Sequence, residues 1–342
     1  MMTVFLSASK VSILTGNNRF ESVRDFIQNL WMKYNYDDYI KIINKLKKKR
    51  QKGLDNEIVK ENITKKLKEK NINILIKNMT KKEIIKTISK NNDLTKNDKI
   101  IIKNELNEMH NINEKKEEYK KPANKIVSDL EIVKNANLHN DINKFSKTTK
   151  ELDDNKKKII KKINEMKITN KKKELIKKSV IGVSNKKYGT NREKITVEHF
   201  QNKYNMKVII NKKYYRKVFY KVNNINFSFI GEIDGMLENG NILEIKNRTR
   251  RLFHRVYNYE KDQMYIYMYL LNKQKCVLAE HYNNEINDMC VVFDNNYMDK
   301  LLKHLKIFAH YYDELINNVD MQKELLLYSD KDFKNMYSLR TI

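Results

Sequence analysis

Asp234, Glu244 and Lys246 are residues whose types and spacing could hydrolyse a phosphodiester. They lie in the stretch IGEIDGMLENGNILEIK, Ile230 to Lys246, where Asp234 ends one strand-like run and Glu244 and Lys246 stand two apart in the next. Strand residues two apart project to one face, so Glu244 and Lys246 point together while Leu243 and Ile245 turn to the core. The ENG turn is expected to set the two strands side by side, letting Asp234 and Glu244 share an ion. Gly231 and Gly235 bracket Asp234 and are expected to permit a tight approach of backbone or metal. Mg²⁺ takes oxygen ligands near octahedral geometry, usually one or two carboxylates completed by phosphate and water. Asp234, Glu244 and the Ile245 carbonyl would supply such a site. Lys246 would lie beside the attacking water, lowering its pKa or offsetting charge on the pentacovalent phosphate. The triplet alone is not specific, since chance supplies roughly seven [DE]-x-K triplets in a chain of this composition. A solvent-exposed Glu–Lys pair on a hairpin is the plainer alternative.

The flanking elements add specificity. Upstream, YGTNREKITVEHF reads as a helix with a Gly-Thr entry, Glu193 near its start, and Val197 and Phe200 on its apolar side. Downstream, YEKDQMYIYMYLL places Gln263 at the opening of an apolar helix that leads into the strand KCVLAEHY. A lone Glu or Gln at a helix start is usually a capping residue. The order Glu193, Asp234, Glu244-x-Lys246, Gln263 within 71 residues is much harder to dismiss.

These elements need a scaffold, and composition divides the chain into three zones. Residues 1–47 read as globular and helical, with Phe20, Val23, Phe26, Ile27, Leu30 and Trp31 at helical spacing. Residues 48–178 are rich in lysine, asparagine and isoleucine. EIVKENITKKLKEKNINILIKNM there predicts amphipathic helix, and NEKKEEYKKPANK a solvated linker. This zone reads as an insertion, helical in parts and partly disordered, acting either as an electrostatic arm or as an inert expansion. Residues 179–342 hold five of the seven glycines and the strand-like runs MKVII, YRKVFYKV, NFSFIGEID, NILEIK, KCVLAEHY and MCVVF. With a Tyr- and Met-rich helix over 261–271 and an amphipathic helix over 297–317, the pattern predicts an α/β core: a mixed central sheet flanked by helices.

The formal net charge of +27 favours a polyanionic partner, nucleic acid or an acidic membrane surface, although AT-rich codon usage alone supplies many lysines. The ten arginines are more telling, because Arg248, Arg250, Arg251 and Arg255 crowd into eight residues after the E-x-K pair. Such a group fits phosphate contacts that position DNA without reading its sequence. Two cysteines, Cys276 and Cys290, are too few for a disulfide framework or a four-thiolate metal site and suit a reducing, intracellular compartment. No apolar run is long enough to span a bilayer and no signal peptide is evident, so no membrane role is expected. His199, His254 and His281 show no metal-binding spacing and read as structural or surface residues. The tyrosines of Tyr257–Tyr269 read as core before base-stacking groups.

The stretches GTNRE, EIDG, LEIK and DQMYIYMY, with Glu193, Asp234, Glu244, Lys246 and Gln263, resemble the PD-(D/E)XK nuclease superfamily. Within it, the likeness is to the lambda exonuclease and YqaJ-type viral recombinase family. LSASKVSILTGNNRF resembles that family's N-terminal element, with Ser9 in the matching place for DNA contact. The likeness covers about 1–47 and 179–342. It implies a restriction-endonuclease-like fold and a 5′→3′ exonuclease on duplex DNA ends, working with Mg²⁺ or Mn²⁺. The 3′ single strand would pass to a recombinase or single-strand annealing protein. It also implies that Glu193 joins Asp234 and Glu244 as a metal ligand, that Lys246 serves the water, that Gln263 supports the site or contacts DNA, and that copies form a ring around DNA. An AT-rich virus replicating in host cytoplasm or nucleus fits the composition, and an AT-rich cellular genome would look alike. Two departures stand out. MMTVFL has no basic residue where lambda-type relatives grip the 5′-phosphate, so either Arg19 or Arg24 reads it or the polarity differs, and Ile233 replaces the usual proline. With two cysteines, the iron–sulfur branch is excluded. An endonuclease or resolvase of the same superfamily, and a non-catalytic DNA-binding scaffold, are the competing readings.

Overall fold

The computed structural model describes residues 1–70, 72, 74–109, 138, 141, 144, 146–210 and 212–341. In chain order, strand β1 (Met2–Ser7), a 3-10 turn (Ala8–Lys10), α1 (Val11–Leu14) and α2 (Val23–Tyr34) come first. Three helices follow, α3 (Tyr36–Glu69), α4 (Lys81–Lys90) and α5 (Lys96–Asn107). Next are α6 (Thr149–Glu165), α7 (Asn170–Asn191), α8 (Glu193–Tyr204), β2 (Val208–Ile209), β3 (Tyr215–Val222), β4 (Ile225–Gly231), β5 (Gly235–Leu237) and β6 (Ile242–Asn247). The chain closes with α9 (Asn258–Leu271), β7 (Lys275–Tyr282), β8 (Glu285–Val292), α10 (Asn295–Asn317), α11 (Val319–Leu327) and α12 (Asp330–Thr341). They form two compact units, residues 1–34 with 121–342, and residues 35–120. The composition boundaries at 47/48 and 178/179 fall inside helices α3 and α7.

The first unit is the expected α/β core, with mixed sheets flanked by helices. A three-stranded sheet has the order β1-β4-β3, and a five-stranded sheet has the order β2-β5-β6-β7-β8. The residues read as a helical N-terminal part thus begin with a strand. MTVFLS alternates, burying Val4 and Leu6, and pairs in parallel with β4 from Met2–Ile225 to Ser7–Ile230. Strands β6 and β7 are also parallel, a pairing no tight turn can make, and α9 is the crossover between them. Leu243 and Ile245 of β6 and Val277 and Ala279 of β7 pack with Val197 and Phe200 of α8. By the strand's twofold alternation, Glu244 and Lys246 are left to face α9.

Four expectations need correction. NFSFIGEID and NILEIK are not hairpin neighbours: β4 ends the smaller sheet at Gly231, and a separate strand β5 pairs with β6 through Gly235–Leu243 and Met236–Ile242. Asp234 therefore sits on the passage between sheets. Gly231 and Gly235 make room for core side chains and not for a metal, since a Cβ would lie 2.6 Å from Tyr267 Cε1 at the first and 2.7 Å from Val208 Cγ1 at the second. Gly189 and Thr190 belong to the last turn of α7, so α8 is entered through Arg192. Phe20 lies outside α2, on the surface, while Ile27, Leu30 and Trp31 form the helix's buried stripe.

The second unit has its own core of Ile63, Leu67, Ile84, Ile88, Ile102 and Leu106. Thr80 and Thr95 open α4 and α5 with reciprocal capping bonds to Glu83 and Asp98, satisfying amides that a helix start leaves orphaned. The segment NEKKEEYKKPANK lies outside the described residues.

Candidate active site

Strand β6 carries Glu244 and Lys246 into the space below α9. Asp234 reaches them because its Oδ2 accepts the Ile245 N–H at 2.7 Å, extending the β5–β6 ladder with a side chain. A strand residue's N–H and C=O point the same way, so the Ile245 carbonyl also faces the Asp234 side. Lys246 Nζ donates to Glu244 Oε1 at 2.5 Å and to Gln263 Oε1 at 3.2 Å. Gln263 Nε2 donates to Glu244 Oε1 at 2.8 Å and to the Tyr267 hydroxyl at 2.9 Å. Glu244, Lys246 and Gln263, three residues expected to act together, are thus joined by hydrogen bonds, and Asp234 is held beside them through the Ile245 N–H. Tyr267 is a member the sequence reading left in the core. Its signal was present, four residues after Gln263 and hence on the same helix face.

The electrostatics are strained in one direction. Glu244 is 2% exposed, and its Oε2 is buried without a hydrogen-bond partner. Burial, and then the Glu244 charge, push the Asp234 carboxyl well above the usual range, against the opposing pull of Lys246. Burial alone would lower the Lys246 ammonium, but Glu244 and Asp234 outweigh it and hold its pKa up. Glu193, half-buried at the start of α8, is raised by burial and by Glu244 and Glu232, with Lys212 acting against them. Asp234, Glu244 and Glu193 thus all lie in the field of the Lys246 ammonium, with Lys212 adding to it at Glu193. Among the described residues no group of three or more His, Cys, Asp or Glu stands ready to enclose a metal. The donor set fits an ion that needs only one or two carboxylates from protein, as Mg²⁺ does. The orphaned Glu244 oxygen and the disfavoured Asp234 charge both favour a cation there.

The arginines divide. Arg248 is 8% exposed, with Nη1 2.7 Å from Glu260 Oε1 and Nη2 2.5 Å from Glu280 Oε1, so it is spent internally and is withdrawn as a DNA contact. Glu280 Oε2 also accepts the N–H groups of Phe253 and His254, at 3.0 and 2.9 Å. Arg248 therefore pins the loop that carries Arg250, Arg251 and Arg255, all three exposed. Arg24 is likewise buried, paired with Asp25 and Asp330, and cannot serve a 5′-phosphate, whereas Arg19 is exposed. Ser9 is exposed on the 3-10 turn, 3.1 Å from Ser7 Oγ.

A second polar network went unread in the sequence. Asn247, directly after Lys246, donates from Nδ2 to the Gly189 carbonyl at 2.9 Å and accepts the Thr196 hydroxyl at 2.7 Å. Thr196 Oγ1 also lies 3.0 Å from His281 Nδ1. Burial, with the Arg192 charge, lowers the His281 pKa to about 4, and the buried ring serves as a structural member of this network. The network ties α7, α8, β6 and β7 together behind the cluster and fixes the helix that bears Glu193. Cys276 is buried and Cys290 exposed, both as free thiols, and no helix among the described residues is long and apolar enough to cross a membrane.

No protein-family model matches the chain, and no curated protein matches it in sequence. Among solved structures, it is similar to an alkaline exonuclease from Laribacter hongkongensis at 12% identity and TM-score 0.33, covering 53% of this chain and 88% of that one. The same exonuclease in complex with dAMP matches at 11% identity and TM-score 0.33, over the same shares. These neighbours are nucleases, but likeness at this level transfers no residue role.

Proposed function

We propose that the protein is a metal-dependent deoxyribonuclease that removes nucleotides from duplex DNA ends, with 5′→3′ polarity, in viral-type recombination, replication or repair. The observation that supports this most is the buried cluster in which Glu244, Lys246 and Gln263 share hydrogen bonds, Asp234 accepts the adjoining Ile245 N–H, and one Glu244 oxygen is orphaned. A hairpin with an ordinary surface ion pair has no reason to bury an unpaired carboxylate oxygen, at a cost on the order of 1–3 kcal/mol. In this reading, Asp234, Glu244 and the Ile245 carbonyl would hold Mg²⁺ (or Mn²⁺), with Glu193 as a further ligand. Bound there, the ion polarises the phosphodiester and makes water a nucleophile near neutral pH.

The chain's own residues do the rest. Glu244 Oε1 holds the Lys246 ammonium in place, and Gln263 braces both from α9. Lys246 offsets the charge that builds on the phosphate as water adds. Arg250, Arg251 and Arg255, with Ser9, position the DNA backbone through phosphate contacts. A single-strand annealing protein receiving the 3′ strand, and a ring of copies around DNA, belong to the same proposal.

The test is a nuclease assay with Mg²⁺ on linear duplex labelled at either end and on covalently closed circles. Loss of label from the 5′ end of linear DNA, with circles intact, is expected. Cut circles would make it an endonuclease, and no cleavage of either substrate would leave a DNA-binding scaffold.

A further inference from the structure

Beside the cluster runs a row of aromatic rings that the proposed chemistry does not use. Phe20 is 74% exposed and meets the Tyr259 ring edge-on at 5.8 Å. Tyr259 stacks on Tyr257 at 5.8 Å with 20° between planes, and Phe253 meets Tyr257 edge-on at 5.2 Å. The Arg255 guanidinium lies 4.2 Å from the centre of the Tyr257 ring. Tyr259 precedes Gln263 by one turn of α9, so the row begins about 6 Å along the helix from the cluster.

The exposed end of the row is held by design of the surrounding turn. Asp262 accepts from Thr15 Oγ1 at 2.7 Å, from Asn17 Nδ2 at 2.9 Å and from the Tyr297 hydroxyl at 2.6 Å. Asn18 Oδ1 then accepts the Phe20 N–H at 2.8 Å, and Glu21 pairs with Lys10. A phenyl ring that served only the core would not be presented to water on a turn anchored from beneath. Arg19 and Arg255, next to the row in sequence, and Arg250 and Arg251 in the same loop as Phe253 are exposed cations, while the buried acids Glu260 and Asp262 are spent, the first on Arg248 and the second on Thr15, Asn17 and Tyr297.

We infer that Phe20, Tyr259, Tyr257 and Phe253 form a stacking platform for unpaired nucleotides, with the neighbouring arginines on the phosphates. The partner is single-stranded DNA, because stacking needs a base face that a duplex keeps against its neighbours, and aromatic rings interleaved with cations are what such strands bind. The inference rests on the deoxyribonuclease reading for its role, which is to hold a strand at the cluster in unpaired form.

Its test reads binding and not cleavage. The full chain in EDTA is titrated against a fluorescein-labelled oligothymidine and against a blunt duplex, with anisotropy as the readout. Phe20→Ala, which removes no core contact, is expected to weaken single-strand binding about tenfold, with duplex binding nearly unchanged. Phe20→Trp restores it, and Tyr257→Ala repeats the loss. Because stacking involves no counterion release, the tenfold ratio persists as salt is raised. Single-strand affinity unchanged in Phe20→Ala, or lost equally for duplex, would overturn the platform. Ring-dependent binding by a protein that cleaves no DNA would instead remove the nuclease reading and leave the platform standing.

Discussion

The Asp234 carboxyl is where the cost of the site is concentrated. Its folded pKa lies above the unfolded value because burial and Glu244 disfavour its charge. For an acid shifted upward, the stability contribution is complete below the unfolded pKa and is lost as pH rises through the folded one. Metal-free protein at neutral pH therefore carries that penalty, and Asp234→Asn, which can still accept the Ile245 N–H, should unfold at a higher temperature than wild type in EDTA. Adding Mg²⁺ should stabilise wild type and leave the variant unmoved, the trade of stability for function seen at strained sites. His281 gives the opposite sign. With its pKa lowered to about 4 from the ordinary histidine value of about 6.5, it contributes stability above about pH 6.5 that drains away as pH falls towards 4. Denaturant titrations from pH 7 to 4.5 should show a shallower loss in His281→Asn than in wild type. The carboxylates, the lysine and Gln263 were legible because chemistry restricts their types and strand geometry restricts their spacing. Tyr267 and Asn247 were not, since a buried tyrosine or asparagine carries no mark of its partner until the fold supplies one.

At the scale of elements, β6 does two jobs: it presents Glu244 and Lys246 to α9, and two residues on it delivers Arg248 to Glu260 and Glu280. Removing one partner of a buried ionic group leaves uncompensated charge, at roughly 3–5 kcal/mol. Arg248→Met should accordingly lose about that much in denaturant unfolding, whereas Arg250→Ala and Arg251→Ala, both at exposed positions, should stay within about 0.5 kcal/mol of wild type. A similar loss in all three would mean the loop is not pinned as described. Sequence spacing grouped these arginines together, and it could not separate them, because burial depends on Glu280 in β7 and Glu260 in α9. The strands themselves were readable from alternation and turn chemistry, KCVLAEHY to the residue. Pairing was not: local sequence contains no sign that MTVFLS would cross to lie beside β4, and none that Gly231 would end one sheet and Gly235 open another.

At the scale of the whole molecule, the proposed binding of DNA by a chain of +27 charge should be strongly salt-dependent. If Arg250, Arg251 and Arg255 contact phosphates, each alanine should reduce the slope of log affinity against log salt by about 1, with little change between sequences. An unchanged slope would move the interface elsewhere. In the lysine-rich middle of the chain, the isoleucines and leucines that recur at helical spacing over α3, α4 and α5 build a separate core, which composition alone did not announce. All the proposed catalytic residues lie in the first unit. The most direct measurement compares wild type with Lys246→Ala on linear duplex DNA in Mg²⁺, with duplex binding in EDTA measured alongside. Cleavage by wild type, at least about 100-fold slower in the variant while binding is retained, is the predicted result. Cleavage by the variant at the wild-type rate, or by wild type in EDTA, would contradict the assignment of this cluster as a metal-dependent active site.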